Sequence, residues 1–415
     1  MRYRIFAAVT ILSILLIPVT GCVEDRTALD PSETNGDEAT LEMRISGTSE
    51  LAFKLYHEIR TDEDNFLLSP HSLAVAFGMV YAGAMGETER EMAEALCFDY
   101  PHGIFHAAMK ELNALLQSRG EQVDPESFRL NLTNGCWGRD DLVYLGSYTD
   151  LLLEYYGAGL EYMDFVNHPN ESREAINQWV EDQTEGKIED LIPEGAIDAY
   201  TYLVLANTIY FKASWLSQFD PECTWEMPFH LIDGTTVNAP TMGQMTKYPF
   251  VDGEGYKALE LPYVGEEVSM LILLPDKGSF AAFEESLTPG MVDGIVNALD
   301  TTFASLALPK FSFSSDFDMK PVLENMGMTG AFYEGANFTG MDGVNDGSPF
   351  ISFVAQKTFI AIDEAGTEAA AATGIGMSLT SAGEIFNVDR PFIFAIRDIE
   401  TGTIIFLGRV VNPTL

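Results

Sequence analysis

Few side chains in this sequence are spaced for catalysis. His102 and His106 stand four residues apart on a helical pattern, a spacing that could hold a divalent metal, but no third ligand follows nearby. Ser69-Pro70-His71-Ser72 puts a hydroxyl beside an imidazole, the raw material of an activated nucleophile. The apolar residues that follow read better as a helix start, with Ser69 as its cap. There is no G-x-S-x-G elbow, no P-loop, no G-x-G-x-x-G opening a helix and no H-E-x-x-H. Carboxylates are too abundant for any acid–base pair to be singled out. Cys97, Cys136 and Cys223 lack metal-ligand spacing; the first two sit among apolar residues and read as buried thiols, and a disulfide among the three stays open. The expectation is a protein that is not an enzyme and uses neither cofactor nor metal.

The chemistry that the sequence does suggest is chemistry done to it. Asp363 to Thr373 is followed by a Gly/Ser/Thr-rich passage ending at Asn387. A structureless stretch of this length within one domain is usually functional. A short Ala-rich helix plus a loop is the plain alternative. Taken two at a time, Thr367, Ala369, Ala371, Thr373, Ile375, Met377 and Leu379 form one set, increasingly apolar. Glu368, Ala370, Ala372, Gly374, Gly376, Ser378 and Thr380 form the other, small or polar. That is the pattern of a strand with one buried face, written into what otherwise reads as an exposed loop. At ~3.4 Å per residue, Thr367 to Leu379 would span about 44 Å. A segment legible both as loop and as strand is a conformational switch.

The elements around it must present and receive such a switch. Helical periodicity marks Ser49 to Arg60, Leu73 to Tyr81, Thr88 to Leu96, His102 to Ser118, Tyr148 to Tyr156, Ser172 to Thr184, Phe280 to Leu287 and Lys320 to Met326. Strand-like runs cover Tyr202 to Phe211, Val268 to Leu274, Phe303 to Leu308, Ser352 to Ile362, Phe392 to Arg397 and Thr403 to Val411, the last two joined by a turn at Asp398 to Gly402. The order predicts an α+β domain over 49–415 rather than alternating βαβ units.

Composition sets the surroundings. Asp and Glu number 63 against 23 Lys and Arg, a net charge of −40, which excludes nucleic acid as a partner. At 47% hydrophobic the chain can bury a large core. Met1 to Gly21 reads as a secretory leader, and Val19-Thr20-Gly21-Cys22 resembles the lipobox of prokaryotic lipoproteins, with Cys22 taking lipid; an ordinary cleaved signal is the alternative. Residues 22–48 read as an acidic flexible tether. The expected location is extracellular, anchored to the outer face of the membrane through Cys22, or secreted if no lipid is added.

Several motifs stand in order along the chain: Asn65-Phe66-Leu67-Leu68-Ser69-Pro70-His71-Ser72, Gly186 to Pro193, and Asn207-Thr208-Ile209-Tyr210-Phe211-Lys212-Ala213-Ser214-Trp215. Leu308-Pro309-Lys310-Phe311, the stretch Glu364 to Thr373, Asp389-Arg390-Pro391-Phe392 and Phe406-Leu407-Gly408-Arg409 follow. In this order and spacing they make the chain, from about Ser49 to Leu415, resemble the serpin family. The resemblance implies a helix-rich domain with three β-sheets and an exposed reactive-centre loop. A protease cuts that loop, and the cut loop enters the main sheet as a new strand, dragging the acylated enzyme with it. It further implies a hinge at Glu364, Gly366, Thr367, Glu368, Ala369, Ala370, Ala371, Ala372 and Thr373, and target recognition by Met377, Ser378 and Leu379. A sheet-opening region would comprise Ser69, Ser72, Asn207, Trp215 and Gln356.

Seventeen residues counted from Glu364, or eleven counted back from Pro391, both reach Thr380, so the reactive bond is expected at Thr380–Ser381. Thr380 suits an elastase-like or subtilisin-like serine protease; a cut after Leu379 would suit a chymotrypsin-like one, and a cysteine protease is a variant. The alternative is a non-inhibitory member acting as a cell-surface binding or structural protein. The expected state is a monomer, with sequons at Asn131, Asn170 and Asn337. Two departures stand out: Gln356 occupies a place where many members have a titratable His, and Lys110 and Arg119 are too few for a polyanion site.

Overall fold

The computed structural model describes residues 37–61, 64–344, 350–368 and 383–415, without the side chains of 37–46, 207 and 208. Helices gather in the first half, as α1 Asp37–Ile59, α2 Pro70–Tyr81, α3 Gly86–Leu96, α4 His102–Ser118, α5 Gly146–Tyr156 and α6 Pro169–Gln183. Two differ from expectation. The first begins at Asp37, inside the stretch expected as tether, because Asp-Glu-Ala-Thr-Leu-Glu opens with acids that suit a helix N-terminus and continues with good helix formers. The second starts on Pro70, where a missing N–H costs nothing, and Ser69 does not cap it with its side chain. The Ser69 hydroxyl donates to Ile405 O at 2.8 Å instead.

Fifteen strands are described: β1 Phe66–Leu68, β2 Phe128–Arg139, β3 Leu160–Met163, β4 Leu203–Ser214, β5 Thr224–His230, β6 Thr236–Gly253, β7 Tyr256–Pro262 and β8 Val268–Pro275, then β9 Asp300–Pro309, β10 Phe311–Asp318, β11 Ala355–Ile362, β12 Gly366–Thr367, β13 Glu384–Asn387, β14 Phe392–Asp398 and β15 Ile404–Val410. One six-stranded sheet runs β10-β11-β12-β4-β2-β3. The other nine strands are continuous through β6, whose 18 residues belong to two sheets. Its first part pairs with β5 and β9, and β9 carries β13; its end pairs with β7, leading through β8 and β14 to β15 and β1. The architecture is therefore α+β with three sheets. β8, β14 and β15 are buried at every position; their apolar runs are interrupted by Ser269, Arg397, Asp398 and Arg409, which are bonded to Glu260, Glu260, Arg119 and Glu284 respectively. The turn after β14 forms as expected, with Asp398 accepting from Thr401 N at 2.8 Å and Gly402 at φ +74°.

Two buried histidines make the helical layer sensitive to acid. His71 and His106 have no solvent exposure. His71 Nε2 lies 2.8 Å from Asn113 Oδ1, and His106 Nδ1 lies 2.7 Å from the Tyr156 hydroxyl. Burial pushes them down to about 4 and about 3 respectively; Asn113 partly opposes it at His71, and the nearby His102 adds to it at His106. The unfolded chain protonates near pH 6.5 and the folded one does not, so stability is whole above 6.5 and drains as pH falls towards the folded values. At pH 5 each site costs about 2 kcal/mol. Urea-unfolding midpoints should fall between pH 7.5 and 5, and fall less in His71→Gln and His106→Gln proteins. Equal pH slopes in all three would refute the assignment.

Candidate functional site

The hinge is where the structure departs most from the sequence reading. Gly366 and Thr367, expected as part of an exposed loop in the uncut chain, already form a strand. Thr367 pairs with Ile362 of β11 on one side and Ala213 of β4 on the other. The reason is steric and local. A Cβ at 366 would lie 2.0 Å from Ala213 O and 2.7 Å from Ser214 Cα, so glycine alone lets the backbone close on β4. The turn that delivers it is tied by Asp363, whose Oδ1 accepts from Ala365 N at 2.8 Å and Gly366 N at 3.2 Å.

Aromatic side chains and an ion pair hold the turn in place. The Trp215 indole donates to Asp363 O at 3.0 Å, and Trp215 N donates to Ala365 O at 2.9 Å. Its ring stacks on Tyr263 at 4.6 Å, and the Tyr263 hydroxyl lies 2.7 Å from that of Thr367. Glu364 accepts from Lys310 Nζ and from the Thr224 hydroxyl, each at 2.7 Å. Burial pulls its pKa upward, but those two bonds outweigh it and hold the carboxyl below the usual range. Nothing in the sequence marks Tyr263 and Thr224 for a role here, which appears only once β4, β5 and β7 are placed; Lys310 and Asp363 lie in stretches that the sequence does mark, though without this pairing.

Glu368 ends this short strand. Its φ of +54° turns the chain out of the strand path, a conformation that a non-glycine residue adopts at a cost. Glu368 N still donates to Ala361 O at 3.1 Å. The carboxylate is buried, with Lys187 Nζ 3.7 Å away. Burial raises its pKa, and Lys187 only partly offsets that. Ala369 to Thr373, Met377, Ser378, Leu379, Thr380 and Ser381 lie outside the described residues, as does Cys22.

Beyond Thr367 no ladder joins β4 to β11 among the described residues. Beneath that seam lies a cavity of about 60 Å³, lined by Leu73 and Phe77 of α2, Leu203 and Leu205 of β4, and Phe350 and Val354 leading into β11. Gln356 borders it and clamps the start of α2, accepting from Ser69 N at 3.1 Å and donating to Ser69 O at 2.8 Å. An amide makes this bidentate clamp with no proton to gain or lose. Ser72 lines the same cavity. Asn207 lies in β4 opposite Asn134 of β2, its side chain undescribed. Of the residues grouped as a sheet-opening region, Ser69, Ser72 and Gln356 meet, whereas Trp215 sits at the far end of β4 with the hinge.

Other candidates fall away from the site. His102 Nε2 is 3.1 Å from Glu89, and no cluster of three metal-ligating side chains occurs among the described residues. Arg119 is engaged by Asp398 at 2.6 Å and Glu400 at 2.7 Å. Cys97, Cys136 and Cys223 are free thiols, the last one exposed.

The profile of the serpin (serine protease inhibitor) family matches residues 46–413. The chain belongs to the serpin family. It is similar to mouse antithrombin-III, 35% identical over 93% of this chain and 86% of that protein. It is equally similar to leukocyte elastase inhibitor of Xenopus laevis, 35% identical over 90% of this chain and all (100%) of that one. Among solved structures, human thyroxine-binding globulin in complex with thyroxine superposes with a TM-score of 0.80 at 30% identity, covering 90% of this chain and 99% of its own. The hinge, the seam and the cavity described above are therefore features of a serpin main sheet. The family takes its description from serine protease inhibitors, and its members are in general not enzymes.

Proposed function

We propose that this serpin is a suicide inhibitor of serine proteases, cut at Thr380–Ser381 and trapping its target by inserting the cut loop between β4 and β11. The observation that carries this is β12, a two-residue strand already seated in the slot that a longer strand would fill. Continuing its register down the seam would set Thr373 between Asn207 and Gln356. Ile375 would then fall between Leu205 and Val354, and Met377 beside Leu203. The residues that the sequence makes large and apolar would thus meet the cavity that Leu203, Leu205 and Val354 line. Thr367, the first inward position, is 2% exposed, so the inward face is the one expected.

The name of the elastase inhibitor relative supports an elastase-like target for a small β-branched Thr380. A hinge without Lys or Arg beyond Glu368 supports inhibition over a purely binding role. Incubation with pancreatic elastase and with subtilisin should give an SDS-stable complex, with mass spectrometry locating the cut after Thr380. Cleavage at the loop with no covalent complex would favour the binding or structural reading. Export under the leader, and lipid on Cys22 as a membrane anchor ahead of a monomeric domain, are proposed with it. They rest on the basic n-region, the apolar run and the Val-Thr-Gly-Cys sequence.

A further inference from the structure

Away from the sheet, a thiol and an amine face each other across the helical layer. Cys97 ends α3 with φ +59°, a conformation that glycine adopts freely and a cysteine at a cost. The residue is 5% exposed, and Lys54 of α1 donates from Nζ to its Sγ at 3.1 Å. Lys54 also stands 3.5 Å from Glu50, one helical turn back, and its side chain is 43% exposed. The amine is therefore held at the sulfur while its stem stays free to move. A cavity of about 20 Å³ borders the same residue, lined with Leu51, Leu96, Phe98, Phe105 and Met109. That is room for one water-sized molecule.

The pairing changes what the sulfur can do. Burial alone pushes the Cys136 thiol far up, whereas at Cys97 the Lys54 ammonium partly opposes the same push. The thiolate is the nucleophile, and a hydrogen peroxide molecule in the cavity is small enough to meet it. Sγ attacks one peroxide oxygen, an S–O bond forms and the O–O bond breaks. The departing hydroxide takes a proton from the Lys54 ammonium and leaves as water. Sulfur has then lost two electrons to the peroxide and stands as a sulfenic acid, which a nitrogen can convert to a sulfenamide. The freed Nζ attacks Sγ, an N–S bond forms, and the S–O bond breaks as a second water carries off the surplus proton. One peroxide is consumed and two waters are made.

We propose that Cys97 and Lys54 form a redox modification site, closing to a reversible N–S cross-link when a small peroxide reaches the thiol. The bond would tie α1 to the end of α3 across the 43 positions that separate the two residues. A tie of that span restricts the unfolded chain and so favours the folded one. The inference is independent of the reading of the loop as bait.

The test treats the full chain with hydrogen peroxide, quenches with catalase, digests the protein and weighs the peptides. Those bearing Lys54 and Cys97 are expected joined, two hydrogens lighter than their sum, and separated again by dithiothreitol. A Lys54→Arg protein keeps the charge at an exposed position but offers no amine for the link. Its Cys97 should run on to sulfinic acid, at about tenfold the wild-type amount. Treated wild type should melt at least about 4 °C above untreated protein, a rise that Lys54→Arg lacks. Equal sulfinic acid at Cys97 in both proteins, or a Cys97 that survives peroxide as an unlinked thiol, would overturn the proposal.

Discussion

A Thr367→Arg protein is expected to be cut by its target as fast as wild type and to trap almost none of it. Thr367 is the first inward residue of the inserting strand and is already 2% exposed. Its hydroxyl meets that of Tyr263 at 2.7 Å, and its backbone is paired on both sides. Among the described residues, the two carboxylates nearest in sequence are already engaged, Glu364 by Lys310 and Glu368 beside Lys187, so a guanidinium in that slot would be left unpaired. Burying an unpaired charge costs several kcal/mol, enough to keep the first rung open. Every later rung depends on the first, because the strand enters from this end. The acyl-enzyme would then hydrolyse before the loop moves. Loop cleavage counted against SDS-stable complex should exceed 100 turnovers per protease trapped, roughly the effect of 3 kcal/mol on the partition. Thr367→Ser, which keeps the hydroxyl, should trap normally. Complex yields equal to wild type in the Arg variant would rule out entry through Thr367.

How much of this was legible follows from which forces act locally. Helices α3 to α6 show their apolar stripe in the sequence and were found to within a few residues. The buried strands β8, β14 and β15 announce themselves by runs such as Met270 to Leu274, Phe392 to Ile396 and Ile404 to Leu407 that hold only apolar residues. The strand-like runs of the sequence leave out β1, β2, β3, β5, β6, β7, β10 and β13. β6 carries Pro240, Gly243 and Pro249, which argue against a strand when read alone, yet β5, then β9, then β7 pair with it in succession along its 18 residues. β2 holds Gly135 because the Trp137 ring lies where a Cβ would be, at 2.2 Å, a contact invisible in one dimension. The alternation from Thr367 to Leu379 was legible because a period of two survives whatever the chain is doing. That its first residue, Thr367, already sits in the sheet was not, because it depends on the preceding Gly366, where Ala213 O lies 2.0 Å from an absent Cβ.

The hinge thus combines an invitation with a stop. Gly366 and Thr367 occupy the top of the slot, held by Trp215, Tyr263 and the Glu364–Lys310 pair. Glu368 then leaves the strand with a positive φ and a buried carboxylate whose pKa is raised. Under the proposed mechanism, further entry would require that residue to return to extended geometry, and cutting the chain ahead of β13 would free it to do so.

Cleavage at Thr380–Ser381 should therefore raise the thermal unfolding midpoint by at least about 10 °C. The gain comes from ground that the uncut chain leaves unused: the unpaired seam between β4 and β11 and the cavity lined by Leu203, Leu205, Phe350 and Val354. Burying Ile375, Met377 and Leu379 would supply about 6 kcal/mol at roughly 2 kcal/mol each. At about 2 °C per kcal/mol for a domain of this size, that alone gives the stated shift, before any new backbone pairing. The uncut fold would then be metastable, kept by a barrier rather than by depth. Nicking with subtilisin, repurifying the cut protein and comparing scans at one heating rate would measure it. A protein with Ile375→Asp and Met377→Asp should be nicked at the same bond and lose most of the rise, because two carboxylates would have to enter an apolar cavity. If the nicked wild-type protein melts where the intact one does, the loop does not enter the sheet, and the slot that β12 begins is not filled by the chain that follows it.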